Sequence, residues 1–484
     1  MTSRPFHASV AGLFAVVALV GCGTAPDVDM PIGAPPSTVP AATDPSVVAA
    51  GATVTTATPP SVVPTSTPGA TVDALDGPDA APGDEVAPWT TAVPTSTSLV
   101  RAPAPTTESA GVSEAALDPV VTTVAPSTTA APTGWDAFDR HLADATLVPG
   151  SQAVSATVLR DGRVVHRVAL GDRTAGGDDV EVTDRFRVAS ISKVVTSIVV
   201  LQLAQAQVLD LDAPVGERLA AIVGVAPSPA VGRITTRDLL AHRSGIGQYE
   251  DLMFRRQVES CPQAGAVALG APLEREPGTG YRYSNVNFCL LGLLVENVTG
   301  LPYEEVVRAG LLRPLGIDDG MRLAGTFDVG DGDVQHDSDA GRNYMETLGA
   351  AGSWIASPTD VARIIDSLDP ATPGYAPLGP GALEQMKRIT VDPPNPPSDG
   401  AAEPGADTTT TVDPGPPTKG YGLGLMIFGP GSYGHTGTLE STHAMTVRRP
   451  DGITWTVLVS GDRPSSSRDL AGIVDEALRV ADEA

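Results

Sequence analysis

Ser190-Ile191-Ser192-Lys193-Val194-Val195-Thr196-Ser197-Ile198-Val199-Val200-Leu201 is the stretch from which the fold is read. The apolar run continues to Val208 and predicts a buried helix with Ser190 at its start. A hydroxyl and an amine three positions apart then lie on one helix face, one turn from each other, where they can hydrogen-bond. Two fixed positions recur by chance about once in a few hundred residues at average usage. Lysine usage adds weight, because of 31 basic residues only Lys193, Lys387 and Lys419 are lysines. A guanidinium keeps its proton in a protein, whereas an amine set among apolar side chains can lose it and serve as a base. A lysine that ends in a buried ion pair is the alternative at this point.

Outward from this helix, the pattern changes at both ends of the folded part. Residues 135–147 read as a helix, and 154–159 and 164–170 as strands joined through Asp161-Gly162, a hairpin signal. Leu239 and residues 290–298, 306–312 and 361–368 carry helical periodicity. Residues 421–428, 443–448 and 453–460 read as strands, followed by an amphipathic helix over 468–480. Strands and a helix at each end, with helices between, predict an α+β fold. Its antiparallel sheet is built from both termini and flanked by helices, with an all-helical subdomain inserted.

The remaining sequence reads as address and spacing. Arg4 precedes an apolar run over residues 8–21 that is too short to span a bilayer, as in an export signal. It ends at Leu19-Val20-Gly21-Cys22, a small-residue step that resembles a bacterial lipobox and predicts a lipid on Cys22 after cleavage. An ordinary secretory signal with an incidental cysteine is the other reading. Residues 23–133 are Ala, Pro, Thr, Ser and Val with almost no aromatics, a composition that predicts a disordered stalk. At that length a flexible chain spans roughly 60 Å. The folded domain is expected over 134–484, with a Pro/Thr-rich surface insertion at 391–419.

Of three cysteines, lipidation of Cys22 leaves Cys261 and Cys289, either as a disulfide in an oxidising compartment or as two buried thiols. With 57 acidic residues, the net charge of −26 argues against a nucleic acid as the natural partner, and simple solubility also accounts for the acidity. The expected location is the cell surface, anchored to the bacterial membrane through Cys22.

Two further clusters carry chemistry. Tyr283-Ser284-Asn285 offers a phenol that a neighbouring lysine can push toward phenolate, and an amide that can bond both a substrate carbonyl and that lysine. Alone, the same tripeptide is an ordinary turn. Tyr433-Gly434-His435-Thr436-Gly437-Thr438 opens a predicted strand, where Gly437 leaves room for a substrate beside the backbone. The N–H of Thr438 can join that of Ser190 as an oxyanion hole. His435 by itself reads equally as a structural histidine.

The order Ser-x-x-Lys, Tyr-Ser-Asn, His-Thr-Gly resembles the serine β-lactamase and D-alanyl-D-alanine carboxypeptidase superfamily. It is similar in particular to the branch of class C β-lactamases, Streptomyces-type DD-carboxypeptidases and β-lactamase-like esterases. Leu209-Asp210-Leu211-Asp212-Ala213-Pro214-Val215, Ile234-Thr235-Thr236-Arg237-Asp238-Leu239-Leu240-Ala241-His242-Arg243-Ser244-Gly245, Arg313-Pro314-Leu315-Gly316 and Gly420-Tyr421-Gly422-Leu423-Gly424-Leu425 resemble the same branch.

The resemblance implies an acyl-enzyme on Ser190, with proton transfer shared by Lys193 and Tyr283. Asn285 and His435 would orient the substrate and Ser190 with Thr438 would hold the oxyanion, with Thr436 and Gly437 part of the same substrate and oxyanion site. It implies no metal or other cofactor, and an amide or ester substrate: a peptidoglycan-type D-Ala-D-Ala peptide, a β-lactam or a small ester. A non-catalytic penicillin-binding or wall-binding lipoprotein that keeps the fold is the alternative.

Two positions depart from the pattern. His435 stands where class C β-lactamases carry lysine. Met426 stands where the Streptomyces-type carboxypeptidases carry an arginine for the substrate carboxylate, so a free D-Ala terminus would need another partner, such as Arg448 or the Thr436 and Thr438 hydroxyls.

Overall fold

The computed structural model describes residues 134–149, 151–390 and 419–484. The expected export signal with Cys22, the stalk over 23–133 and all but the last residue of the 391–419 insertion lie outside the described residues.

Among the described residues ten strands form: β1 Ser151–Arg160, β2 Arg163–Gly171, β3 Phe186–Arg187, β4 Met321–Leu323, β5 Trp354–Ala356, β6 Gly420–Tyr421, β7 Met426–Gly429, β8 Ser432–Leu439, β9 Thr442–Arg448 and β10 Ile453–Gly461. Seven of them make one antiparallel sheet in the order β2-β1-β10-β9-β8-β7-β6. Strands from the start of the domain thus sit beside strands from its end, as the pattern predicted, and β1 pairs with β10 from Ser151↔Gly461 to Arg160↔Ile453. A second sheet, β3-β5-β4, carried no sequence signal, because strands of two or three residues are too short to display a period.

Both faces of the large sheet are covered. Val154, Ala156 and Val158 of β1, with Trp455, Val457 and Val459 of β10, pack under Phe138 and Leu142 of the N-terminal helix, Gly134–Thr146, and Leu470 and Val474 of the C-terminal helix, Asp469–Glu483. Complete burial of Phe138 or Leu142 contributes about 1.5–3 kcal/mol each. The opposite face, offset by one residue along each strand, meets the helix Pro358–Asp366 through polar pairs. Thr157 Oγ1 lies 2.9 Å from Thr359 Oγ1, and Thr454 Oγ1 donates to Asp366 Oδ1 at 2.6 Å. Ser357 starts that helix by accepting the Asp360 N–H, with Pro358 in its first turn.

Two elements differ from the sequence pattern. The run over 421–428 is broken into β6 and β7 by a bend at Gly422–Leu425. There Gly424 takes φ +72° and a Cβ on it would lie 1.8 Å from Ser197 Oγ, so the chain crosses the helix that carries Ser197 where only glycine fits. The helix expected from Ser190 begins two residues later: Ala189–Ile191 is a 3-10 turn and the α-helix runs over Ser192–Gln205.

Candidate active site

The Ser192–Gln205 helix is buried on every side from Ser192 to Leu203, with Thr196 and Ser197 the only polar residues between Val194 and Leu201. Lys193 is carried into the core with it and is 0 % exposed, while Ser190 stays half-buried on the preceding turn. Ala189 enters that turn at φ +48°, a left-handed conformation that a non-glycine residue holds only where its surroundings enforce it.

Lys193 Nζ lies 2.9 Å from Ser190 Oγ, 2.8 Å from Asn285 Oδ1 and 2.8 Å from the Ala351 carbonyl oxygen. Burial pushes its pKa well below the usual lysine value. A neutral amine suits these three partners: its two N–H groups serve the two carbonyl oxygens, and its lone pair faces the serine hydroxyl. Tyr283 OH donates to Ser190 Oγ at 2.9 Å. The serine oxygen therefore sits between an amine able to take its proton and a phenol able to give one.

Tyr283 and Asn285 arrive together because Asn285 begins the helix Asn285–Thr299, with Ser284 in extended conformation before it. Cys289, one turn further along, is disulfide-bonded to Cys261, with Cα atoms 5.7 Å apart. A Cβ on Gly349 would lie 3.4 Å from Cys261 Cβ, so the bridge backs onto both the helix bearing Asn285 and the turn bearing Ala351.

The third wall is β8. It pairs with β9 along Tyr433–Leu439, whereas β7 pairs with it only as far as Gly434. From His435 onward one edge of β8 therefore leaves the ladder. Gly437 lies against the Ala189–Ile191 turn: a Cβ there would be 2.4 Å from Val188 O and 3.2 Å from Ser190 N. The glycine is required by the turn itself, not by an approaching substrate as the sequence suggested. Thr436 and Thr438, the half-exposed residues on either side, line the cleft.

His435 differs from expectation more strongly. It is 0 % exposed and is not among the residues that line the cleft. Its Nδ1 is 2.6 Å from the Thr436 carbonyl and its Nε2 3.1 Å from Tyr421 OH. The carbonyl requires a proton on Nδ1, which leaves Nε2 to accept from the phenol. Burial first, then Lys193, pushes its pKa down to about 3, so it is neutral.

Arg448, the other expected carboxylate partner, is buried, paired with Asp369, and donates to the Arg449 carbonyl. A cation that the sequence reading passed over, Arg468 at the head of the C-terminal helix, lines the cleft instead. Nothing local in the sequence marks it, since only the return of the last helix brings it there. Thr436 Oγ1 faces Met426 Sδ at 3.7 Å, and Thr438 Oγ1 faces Ser467 Oγ at 2.6 Å.

The cleft encloses about 280 Å³ and is further lined by Gln248, Glu250, Phe254, Leu348 and Leu439. Among the described residues no cluster of three or more His, Cys, Asp or Glu side chains is placed to hold a metal ion.

The Beta-lactamase family model matches residues 138–479. Esterase EstB of Burkholderia gladioli is 33% identical over 198 residues, 38% of this chain and 49% of the relative. Penicillin-binding protein 4 of Amycolatopsis lactamdurans is 31% identical over 185 residues, 36% of this chain and 45% of the relative. The chain thus spans about half the length of the curated relatives it matches. The crystal structure of a D-stereospecific amidohydrolase from Streptomyces sp. superposes with a TM-score of 0.52 at 27% identity, covering 70% of this chain and 97% of that one. A family match over most of the chain, on a fold shared with that amidohydrolase, shows that this protein belongs to the Beta-lactamase family.

Proposed function

We propose that the chain is a lipid-anchored, extracytoplasmic serine hydrolase that cleaves amides or esters through an acyl-enzyme on Ser190. One observation carries this reading: Ser190 Oγ has a buried, deprotonation-prone amine and a phenol each 2.9 Å away. Ser190 Oγ attacks the carbonyl carbon as its proton passes to Lys193 Nζ, forming the C–O bond. The oxyanion is held by the N–H groups of Ser190 and Thr438.

Collapse breaks the bond to the leaving group, which takes a proton from Tyr283. The proton gained by Lys193 then resets the phenol. Water, deprotonated by the same pair, releases the acid and frees Ser190.

Asn285 bonds the acyl-side carbonyl while holding Lys193 in place. An esterase and an amidohydrolase among the relatives agree with a carbonyl substrate of either kind. Met426 removes one carboxylate partner, and Arg468 brings a cation to another wall of the cleft. The export signal and the Cys22 step support the surface location.

The deciding experiment is covalent labelling. A fluorescent penicillin or a fluorophosphonate is expected to label the protein, and Ser190→Ala to abolish the label. Labelling that survives in Ser190→Ala sinks the reading. A panel of short esters, nitrocefin and D-Ala-D-Ala peptides then ranks the substrate classes by kcat/KM.

A further inference from the structure

The stretch Leu239-Leu240-Ala241-His242-Arg243-Ser244-Gly245 has no part in the acyl-transfer steps above, yet it ends against the phenol. Thr235 and Asp238 cap one another at the head of the short helix Thr236–Leu240. The chain leaves that helix through His242, which takes φ +54°. A residue with a side chain stays in this region only where its surroundings enforce it.

Three contacts join His242 to Tyr283 and its two neighbours. The His242 carbonyl oxygen accepts the Arg282 N–H at 2.8 Å. Its ring Nδ1 accepts the Ser284 N–H at 3.2 Å and lies 3.1 Å from Asn287 Nδ2. The imidazole also packs on the Tyr283 ring, with centroids 4.3 Å apart. Phe288 and Tyr421 enclose the imidazole from other sides, at 5.2 Å and 5.1 Å. Residues 282 and 284 are therefore both hydrogen-bonded to the residue whose ring covers residue 283.

The tautomer follows from these bonds. Nδ1 must be bare to accept the Ser284 N–H, so the proton of the neutral ring is on Nε2. Burial favours this neutral form. A protonated ring would turn Nδ1 into a donor facing another donor and break the hold on Ser284.

We infer that His242 is a positioning residue for the reaction, gripping the chain on both sides of Tyr283 so that the phenol stays 2.9 Å from Ser190 Oγ and aimed at the leaving group. The inference rests on the reading of Tyr283 as the leaving-group acid. A proton donor matters only when the leaving group cannot depart as an anion. An alkoxide or amide nitrogen needs that proton, and a p-nitrophenolate does not.

The test compares one acyl group as its p-nitrophenyl ester, its alkyl ester and its amide, in wild type, His242→Ala, His242→Asn and Tyr283→Phe. General-acid catalysis contributes about 10²–10⁴-fold. His242→Ala is therefore expected to lose about 10²-fold in kcat/KM, which reports acylation and not the shared deacylation, on the alkyl ester and amide, and less than about 3-fold on the p-nitrophenyl ester. Asparagine tolerates the left-handed conformation and places an amide oxygen near the Nδ1 position, so His242→Asn is expected to fall between wild type and His242→Ala.

Losses equal across the three leaving groups, or none in either variant, overturn the inference, since a space-filling histidine predicts one of those. If His242→Ala does not fold, the slope across leaving groups in His242→Asn alone decides. Tyr283→Phe separates the two levels. A flat profile in that variant removes the acid role of Tyr283, and the grip with it, whereas a steep profile beside flat His242 variants removes only the grip.

Discussion

Gly437→Ala adds one methyl carbon to β8, 2.4 Å from Val188 O, 3.0 Å from Ala189 Cβ and 3.2 Å from Ser190 N. Carbon–oxygen contacts settle near 3.3–3.6 Å, so β8 and the nucleophile turn must part by about 1 Å. Neither side yields easily. The Val188 carbonyl accepts the Ile191 N–H at 3.1 Å within the turn, and β8 is paired to β9 from Tyr433 to Leu439. Overpacking of this kind costs about 1–3 kcal/mol of stability.

The catalytic effect is expected to be larger relative to its source. A displacement of 1 Å in an aligned site costs about 10²-fold, and loss of an oxyanion donor about 10²–10³-fold. We expect kcat on a p-nitrophenyl ester to fall about 10²-fold, or about 2.7 kcal/mol, with KM nearly unchanged, because the oxyanion exists only in the transition state. Urea unfolding of the same preparation reports the stability term separately. A variant with wild-type kcat, or one impaired in KM alone, would refute the coupling of β8 to the nucleophile turn.

Two further expectations follow from buried groups. Burial lowers the pKa of Lys193, and the base is its neutral form, so kcat/KM rises as pH increases through a value below 10.5. His435, at about 3, is neutral across the neutral range and contributes no limb there. Lys193→Arg, unable to shed its proton, is expected to lose acylation at every pH, and a limb that disappears in His435→Gln instead would assign the base wrongly. Reduction of Cys261–Cys289, separated by 28 residues, is expected to cost about 3–4 kcal/mol on the chain-entropy model, read as a lower urea midpoint in Cys261→Ser/Cys289→Ser. A change below about 1 kcal/mol would show that packing around Gly349 already fixes this region without the bridge.

Local pattern made much of the molecule legible. Apolar and β-branched runs in β1, β2 and β10, and the hairpin at Asp161-Gly162, placed the sheet, because short runs of this kind bounded by turn residues read as strands. The apolar helix after Ser190 and the scarcity of lysine singled out the serine–lysine pair, since residues three apart on a helix meet regardless of the rest of the fold. The break between β6 and β7 escaped this reasoning, as did the second sheet. Gly424 is dictated by Ser197 across the core, and β3, β4 and β5 exist only through pairing with each other.

What the sequence by itself determined is the set of reactive groups and the elements that carry them, because those follow from residue type and from neighbours within one turn or one strand. What the tertiary structure decided is their company. Ala351 O completes the Lys193 site, Arg448 is consumed by Asp369, and Arg468 is delivered to the cleft. His435 is buried outside the cleft lining and His242 set against Tyr283. The physical reason is common to all five: a side chain's partners and burial depend on which distant segments pack against it, and nothing within a few residues along the chain encodes that.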